Sequence, residues 1–168
     1  RPVTVPIPGG TVALRGKIDR VDLSPDGRRA RVIDYKTGRL KGVKEERMEG
    51  GSTIQLPVYL SALPLLFPKI DLTASEAFFL STSYGSGFRR VGFSGSTLVA
   101  RKNDFETILS TVARGIRGGL FPPFPGKQME HCQGCDFRPI CGRSVLRLFE
   151  RKQDDPAVAP LRNLEEIE

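Results

Sequence analysis

The sequence predicts one α/β or α+β domain, because strand-like and helix-like segments alternate along it. Residues 12–23 alternate apolar and polar side chains as a strand does, and residues 31–35 form a second short apolar segment. Between them, Ser24-Pro25-Asp26-Gly27 is typical of a turn, so residues 12–36 are predicted to form a β-hairpin. The chain has 168 residues, which is enough for one domain with its own hydrophobic core.

The alternation of apolar and polar residues shifts by one position within the first predicted strand. The apolar positions are even-numbered up to Ile18, whereas Val21 and Leu23 share the parity of Asp19. Because side chains alternate strictly between the two faces of a strand, this slip predicts a bulge or bend near Arg20.

A helix is expected next along the chain, over residues 53–67. Ser52 or Thr53 is expected to cap it, and Pro57 is compatible only with its first turn. The preceding residues 37–51 are polar and glycine-rich at both ends, which predicts a mobile loop or a short exposed helix.

The second half of the chain predicts another strand pair, an amphipathic helix and a short C-terminal helix. The expected bounds are residues 74–83 and 88–93 for the strands, and 98–118 and 139–152 for the helices. The resulting order is β-β-α-β-β-α, followed by a cysteine-rich metal loop. From residue 153 the chain holds two prolines and several acidic residues, which predicts a tail or linker.

Composition excludes some classes of protein and leaves one question open. Hydrophobic residues make up 39% of the chain, which excludes wholesale disorder, and the longest apolar stretch, at 56–67, is interrupted by two prolines and is too short to span a membrane. The formal net charge is +7. It suits either a polyanionic partner or a solvated basic surface.

No signal peptide is visible, and the first residue is Arg1, so we expect the N-terminal part of the domain to be missing.

Two carboxylates are predicted to face each other across the hairpin. Asp26-Gly27 is a preferred pair for a two-residue turn, and in that register paired residues have numbers that sum to 53. Asp19 then lies opposite Asp34, and Lys36 lies two residues further on the same face. A divalent cation between the carboxylates would explain the pairing, and hard oxygen ligands favour Mg²⁺ or Mn²⁺. Two exposed acids on a solvated face are the alternative.

Three cysteines form the second candidate site. Cys132-x₂-Cys135-x₅-Cys141 supplies three soft ligands, whereas a zinc ion or an iron–sulfur cluster normally takes four. His131 is a poor fourth ligand, because adjacent side chains converge badly on one ion. Zinc, a cluster and three unliganded thiols all remain open.

Several motifs together resemble the PD-(D/E)XK nuclease superfamily, and more narrowly its RecB/AddB-type branch. The motifs are Gly16-Lys17-Ile18-Asp19-Arg20-Val21-Asp22, Val32-Ile33-Asp34-Tyr35-Lys36-Thr37-Gly38, Gln55-Leu56-Pro57-Val58-Tyr59, Gly119-Leu120-Phe121-Pro122-Pro123 and the cysteine loop. The resemblance implies a restriction-endonuclease-like fold, with a central mixed sheet flanked by helices. One departure is that Ile18 stands where the family often has proline.

The resemblance also implies roles for individual residues. Asp19, Asp34 and the backbone carbonyl of Tyr35 would bind the metal ion, and Lys36 would orient or activate the attacking water and stabilise charge on the phosphate.

Gln55 and Tyr59 would complete the catalytic set, because they match the family's Q-x-x-x-Y motif. They are four residues apart and therefore on one helix face. Without the family, a half-buried helix flank would be the preferred interpretation of this pair.

In AddB-type nucleases a similar trio of cysteines joins a distant upstream cysteine to hold a [4Fe–4S] cluster, and the resemblance implies that role for Cys132, Cys135 and Cys141. That fourth cysteine would precede Arg1. The implied nuclease domain covers residues 1–152, including a cysteine loop at 128–145, with a tail or linker at 153–168. The family's N-terminal helix, which often completes the site with a His or Glu, has no counterpart here.

The implied function is a metal-dependent DNA nuclease of exonuclease type in DNA end processing and recombinational repair. The expected partners are DNA and a helicase subunit or fused helicase domain, in a bacterial cytoplasm and without a membrane. Basic residues that could contact phosphates are Lys41, Lys44, Arg89, Arg90, Arg101 and Lys102. An inactive DNA-binding or structural module on the same fold is the alternative. A zinc-ribbon interaction domain would leave the carboxylates unexplained.

Overall fold

A computed structural model describes residues 2–38, 40, 42–126 and 128–168. Its centre is a four-stranded sheet built from β3 (Arg20–Leu23), β4 (Ala30–Lys36), β5 (Glu76–Ser81) and β6 (Arg90–Ser94), in that order. The β4–β5 pair is parallel and the two outer pairs are antiparallel. The predicted mixed sheet flanked by helices is therefore confirmed.

An additional hairpin precedes this sheet. It consists of β1 (Val3–Ile7) and β2 (Gly10–Leu14), which pair antiparallel. The single strand predicted over residues 12–23 is wrong, because β2 ends at Leu14 and β3 begins at Arg20. The slip in apolar phase marks a complete break between two sheets, not a bulge within one strand.

The predicted register of the β3–β4 hairpin is confirmed. Arg20 pairs with Ile33 and Leu23 with Ala30, so partner numbers sum to 53. The turn is longer than predicted, because Ser24 N–H donates to the Arg29 carbonyl at 3.0 Å and leaves residues 25–28 as a four-residue loop. Lengthening a loop by one residue on each side keeps the same partners in register.

Helix α1 (Gln55–Leu66) crosses over between the parallel strands β4 and β5. The predicted caps are wrong, because the hydroxyls of Ser52 and Thr53 donate to the carbonyls of Glu49 and Arg47. The predicted place of Pro57 in the first turn is confirmed. An N–H group in the first turn has no acceptor within the helix, so a proline there costs no hydrogen bond.

The predicted helix over residues 98–118 is two helices, α2 (Gly95–Ala100) and α3 (Lys102–Arg117). The Ser94 hydroxyl caps α2 by accepting the Thr97 N–H at 3.1 Å. The break falls at Arg101, whose backbone is not helical, with φ −106° and ψ 27°.

The main core lies between one face of the central sheet and the helices. Its largest contributors are buried side chains of the sheet and of α1, including Val32, Phe79, Val91, Phe93, Leu56, Leu60 and Leu63. Residues 37–51 also contribute, since Leu40 is buried and Met48 has no exposed surface. The described part of this segment is a loop that ends in a 3-10 helix at Glu49–Gly51, and it is not exposed throughout as predicted.

The C-terminal region is a series of short helices: α4 (Arg138–Cys141), α5 (Val145–Arg151), α6 (Ala159–Arg162) and a 3-10 turn at Asn163–Glu166. The helix predicted over residues 139–152 is interrupted at Gly142, whose φ is +70°. The segment expected to be a tail or linker packs on the domain. Leu164 is part of the core, and the Ile167 carbonyl accepts the Gly50 N–H at 2.8 Å.

Candidate active site

Strand β4 presents Asp34 and Lys36 on the sheet face that carries Val32 and packs against α1. Alternation along the strand places these residues on one face. Asp34 is 4% exposed and is the only buried charged residue among those described. The Lys36 ammonium lies 2.6 Å from Asp34 Oδ2 and 4.7 Å from the centre of the Phe79 ring. The strand therefore holds a carboxylate and an ammonium group in contact at the edge of the core.

Gln55, at the start of α1, joins the two charged groups. Its Nε2 donates to Asp34 Oδ1 at 2.8 Å and to the Tyr59 hydroxyl at 2.6 Å, while its Oε1 accepts from Lys36 Nζ at 3.0 Å. These partners fix the orientation of the amide, because the reverse orientation would place its N–H groups against the ammonium. Gln55 thus uses both ends of its amide to hold Asp34 and Lys36 in place.

Tyr59 lies one turn further along α1, above Gln55. Its hydroxyl is 3.1 Å from Asp34 Oδ1 and 3.2 Å from the Lys17 carbonyl, and either oxygen can accept its single proton. Burial raises the pKa of the Tyr59 hydroxyl, and the nearby carboxylates raise it further, whereas the Gln55 hydrogen bond lowers it. Tyr59 is accordingly a neutral hydrogen-bond donor at physiological pH.

Asp19 approaches the site from the segment that leads into β3. Its Oδ2 accepts the Tyr35 N–H at 3.0 Å, and its charge contributes to the raised pKa of Tyr59. The confirmed register, extended by one residue beyond β3, sets Asp19 opposite Asp34. Unlike Asp34, Asp19 is exposed to solvent. The structure therefore brings all the residues predicted for this site into one neighbourhood, with Asp19 at its solvent side.

The donor chemistry fits a hard divalent cation. Asp34 Oδ2 is buried; among the described residues it contacts the Lys36 ammonium at 2.6 Å and accepts no further hydrogen bond. Together with the Asp19 carboxylate and the Tyr35 carbonyl, Asp34 would offer a cation a set of ligands that are all oxygen atoms. Mg²⁺ often takes one or two carboxylates and keeps several waters. Within the described part of the chain, no three His, Cys, Asp or Glu side chains converge on a point. Any ion held here would therefore depend on the backbone carbonyl and on water.

The cysteines do not form a comparable cluster. Cys132 and Cys141 are partly buried, Cys135 is exposed, and all three are free thiols. No convergent metal-binding group includes them among the described residues. His131 is directed elsewhere, since its Nδ1 lies 3.2 Å from the Phe124 carbonyl and its ring stacks on Phe124.

Five of the six basic residues proposed to contact phosphates already have partners within the domain. The pairs are Lys44 with Glu49, Arg90 with Glu76, Arg101 with Asp104, Lys102 with Glu106, and Arg89 with the carbonyls of Leu40 and Val43. Lys41 lies outside the described residues. Lys36, in contrast, contacts the buried carboxylate of the site.

Two contributors to this site were not predicted from the sequence. One is the Lys17 carbonyl, which receives Tyr59, and the other is the Phe79 ring beneath Lys36. Phe79 could have been found by assuming parallel pairing of β4 with the next strand, since Asp34 and Phe79 are partners in that register.

Two clefts in the described part of the chain lie away from this cluster. One, of about 550 Å³, lies around the Ser24–Arg31 end of the β3–β4 hairpin, and the other, of about 900 Å³, lies between α3 and the C-terminal segment. The cluster meets solvent on one side, where Asp19 is exposed and the Lys36 side chain is 35% exposed.

Comparison with known proteins identifies the class of protein that this fold and site define. The family model of the PD-(D/E)XK nuclease superfamily matches residues 1–142, so the chain belongs to that superfamily.

One curated relative is similar to part of the chain. Over 66 residues the chain is 50% identical to a subunit of the ATP-dependent helicase/deoxyribonuclease of Symbiobacterium thermophilum. The matched segment covers 37% of this chain and 6% of that relative. No solved structure matches the chain. Within the described residues, no helix is long and apolar enough to cross a membrane.

Proposed function

We propose that this chain is the catalytic nuclease domain of a metal-dependent deoxyribonuclease of exonuclease type. We further propose that it acts in DNA end processing and recombinational repair, together with a helicase subunit or a fused helicase domain. The observation that carries the proposal is the contact network of Asp34, Lys36, Gln55 and Tyr59, with Asp19 beside it.

Asp34, Asp19 and the Tyr35 carbonyl would hold the cation. A Mg²⁺ or Mn²⁺ ion held there would supply a more acidic water and would neutralise charge on the phosphate. Lys36 places a positive charge beside the same position, where negative charge develops during phosphodiester hydrolysis. Gln55 keeps Lys36 and Asp34 aligned, and neutral Tyr59 lies within hydrogen-bond distance of Asp34 without adding charge.

The alternative function, an inactive DNA-binding or structural module, is less well supported by this geometry. Burying a charged group is costly even when it is paired, as Asp34 is with Lys36. A binding module has no need of such a group, whereas a metal site does.

We also propose that the three cysteines belong to a [4Fe–4S] cluster completed by an upstream cysteine of a longer protein.

The test is cleavage of linear DNA that carries a label at one end. The wild type should release label with Mn²⁺ or Mg²⁺ and not with EDTA, and Asp34→Asn should abolish release. Asp154→Asn is the matched control, because that side chain is 91% exposed and far from the cluster in sequence. Cleavage that persists in Asp34→Asn, or that needs no divalent ion, would contradict the proposal.

A further inference from the structure

Two exposed aromatic side chains lie in the loop that joins β5 to β6. We call residues 82–89 the aromatic loop. Tyr84 is 92% exposed and Phe88 is 60% exposed. Since burial of an aromatic ring is strongly favourable, two exposed rings in one short loop indicate a surface that receives a ligand.

The aromatic loop begins beside the candidate active site. Ser81 is the register partner of Lys36, and the Thr82 N–H donates to the Lys36 carbonyl at 2.9 Å. Tyr84 is three residues beyond Ser81, so its Cα lies within about 15 Å of the Lys36 Cα, from the reach of an extended chain and the spacing of strands. A DNA strand of a few nucleotides is long enough to span such a distance.

Hydrogen bonds hold the aromatic loop in one conformation. The Ser86 hydroxyl lies 2.6 Å from both the Ser81 hydroxyl and the Ser83 carbonyl. At the other end, Arg89 donates to the Leu40 carbonyl at 3.1 Å. The rings are therefore carried by an anchored loop, which reduces the entropy lost when a ligand binds.

Phe88 is held in an unfavourable backbone conformation. Its φ is +57°, in the left-handed region that glycine adopts without cost and that bulky residues rarely occupy. A ring that is both exposed and on a strained backbone contributes little to folding, which leaves a role in binding as its physical rationale.

We propose that Tyr84 and Phe88 form a stacking platform for unpaired bases of a DNA strand whose phosphate lies at the Asp34–Lys36 site. The inference rests on the proposed nuclease function and specifies the form of its substrate. Aromatic rings bind bases of single-stranded DNA by stacking, with little dependence on sequence. An intact duplex offers its bases already stacked, so the platform favours single strands or frayed ends.

The experiment measures binding of the whole chain in EDTA to three fluorescent probes: an oligothymidine strand, an abasic strand of the same length and a blunt duplex. Tyr84→Ala should weaken binding to oligothymidine by about 5- to 150-fold, which is the usual range for one stacked base. Binding to the abasic strand and to the duplex should remain unchanged. Phe121→Ala is the matched control, because that ring is 74% exposed and lies in the cleft beside α3.

A second variant separates binding from folding. Phe88→Gly removes the ring and relieves the strained φ, so its thermal midpoint should equal or exceed that of the wild type. Its affinity for oligothymidine should nevertheless fall as in Tyr84→Ala.

The possible failures can be told apart. If the wild type binds oligothymidine and both variants bind it equally well, the platform is wrong and the nuclease proposal stands. An equal loss of affinity for the abasic strand would also refute stacking. A wild type that neither binds nor cleaves any DNA would overturn both proposals. Variants that bind DNA normally but lose association with a helicase partner would assign the aromatic loop to a protein interface instead.

Discussion

Replacement of Lys36 by methionine tests the balance of charge at the site. Methionine keeps much of the side-chain volume over Phe79 and removes the ammonium that lies 2.6 Å from Asp34 Oδ2. Removing one partner of a buried ion pair costs about 3–5 kcal/mol. The Lys36 side chain is 35% exposed and that of Asp34 only 6%, so solvent compensates in part. We expect Lys36→Met to lower the free energy of unfolding by about 2–4 kcal/mol without divalent ions.

Urea unfolding in EDTA measures this loss, and Mn²⁺ then provides a second comparison. A cation bound at Asp34 would replace the missing positive charge, so saturating Mn²⁺ should reduce the difference between the variant and the wild type. Lys102→Met is the matched control, because Lys102 is 70% exposed and forms a surface pair with Glu106. A loss for Lys36→Met no larger than that of the control would refute the reasoning, as would a difference that Mn²⁺ leaves unchanged.

Three further predictions address other parts of the molecule. Because the folded state raises the pKa of Tyr59, wild-type stability should fall as pH rises above about 10, and Tyr59→Phe should show less of this fall in thermal unfolding at alkaline pH. Gly50→Ala should lower the free energy of unfolding by about 1–3 kcal/mol and speed proteolysis of the C-terminal segment, because its φ is +62° and a Cβ would lie 2.7 Å from the Leu164 carbonyl oxygen. Gly38→Ala, with no atom within 4 Å of its Cβ, should do neither. Iron and sulfide analysis should find a four-iron cluster in a longer protein that includes the upstream cysteine, and no complete cluster in this chain, whose three cysteines supply only three thiolates.

The hairpin of the candidate site was predictable because its signals are local. A turn-forming segment and alternating side chains fixed the register, and a loop two residues longer than expected left the same partners in register. The spacing of Gln55 and Tyr59 likewise determined that they share a helix face. Their contact with Asp34 required the tertiary structure, or the family resemblance, to be recognised.

Errors arise where distant segments override local patterns. Residues 12–23 have the pattern of one strand, yet the first part pairs with β1 and the last part with β4. Likewise, Arg101 interrupts a continuous amphipathic pattern. The prolines and charges of the C-terminal segment are typical of a linker, but the contacts around Gly50 and Leu164 order it. The periodicity of hydrophobic residues within a segment carries no information on contacts between residues so far apart in the sequence.

A crystal of this chain soaked in Mn²⁺, with the anomalous scattering of the metal measured, tests the central claim most directly. We predict one strong anomalous peak bounded by the carboxylates of Asp19 and Asp34 and the carbonyl of Tyr35, with the Lys36 ammonium displaced from Asp34 Oδ2. A crystal that binds Mn²⁺ elsewhere and shows Asp34 still paired with Lys36, with no peak between the two aspartates, would contradict the account.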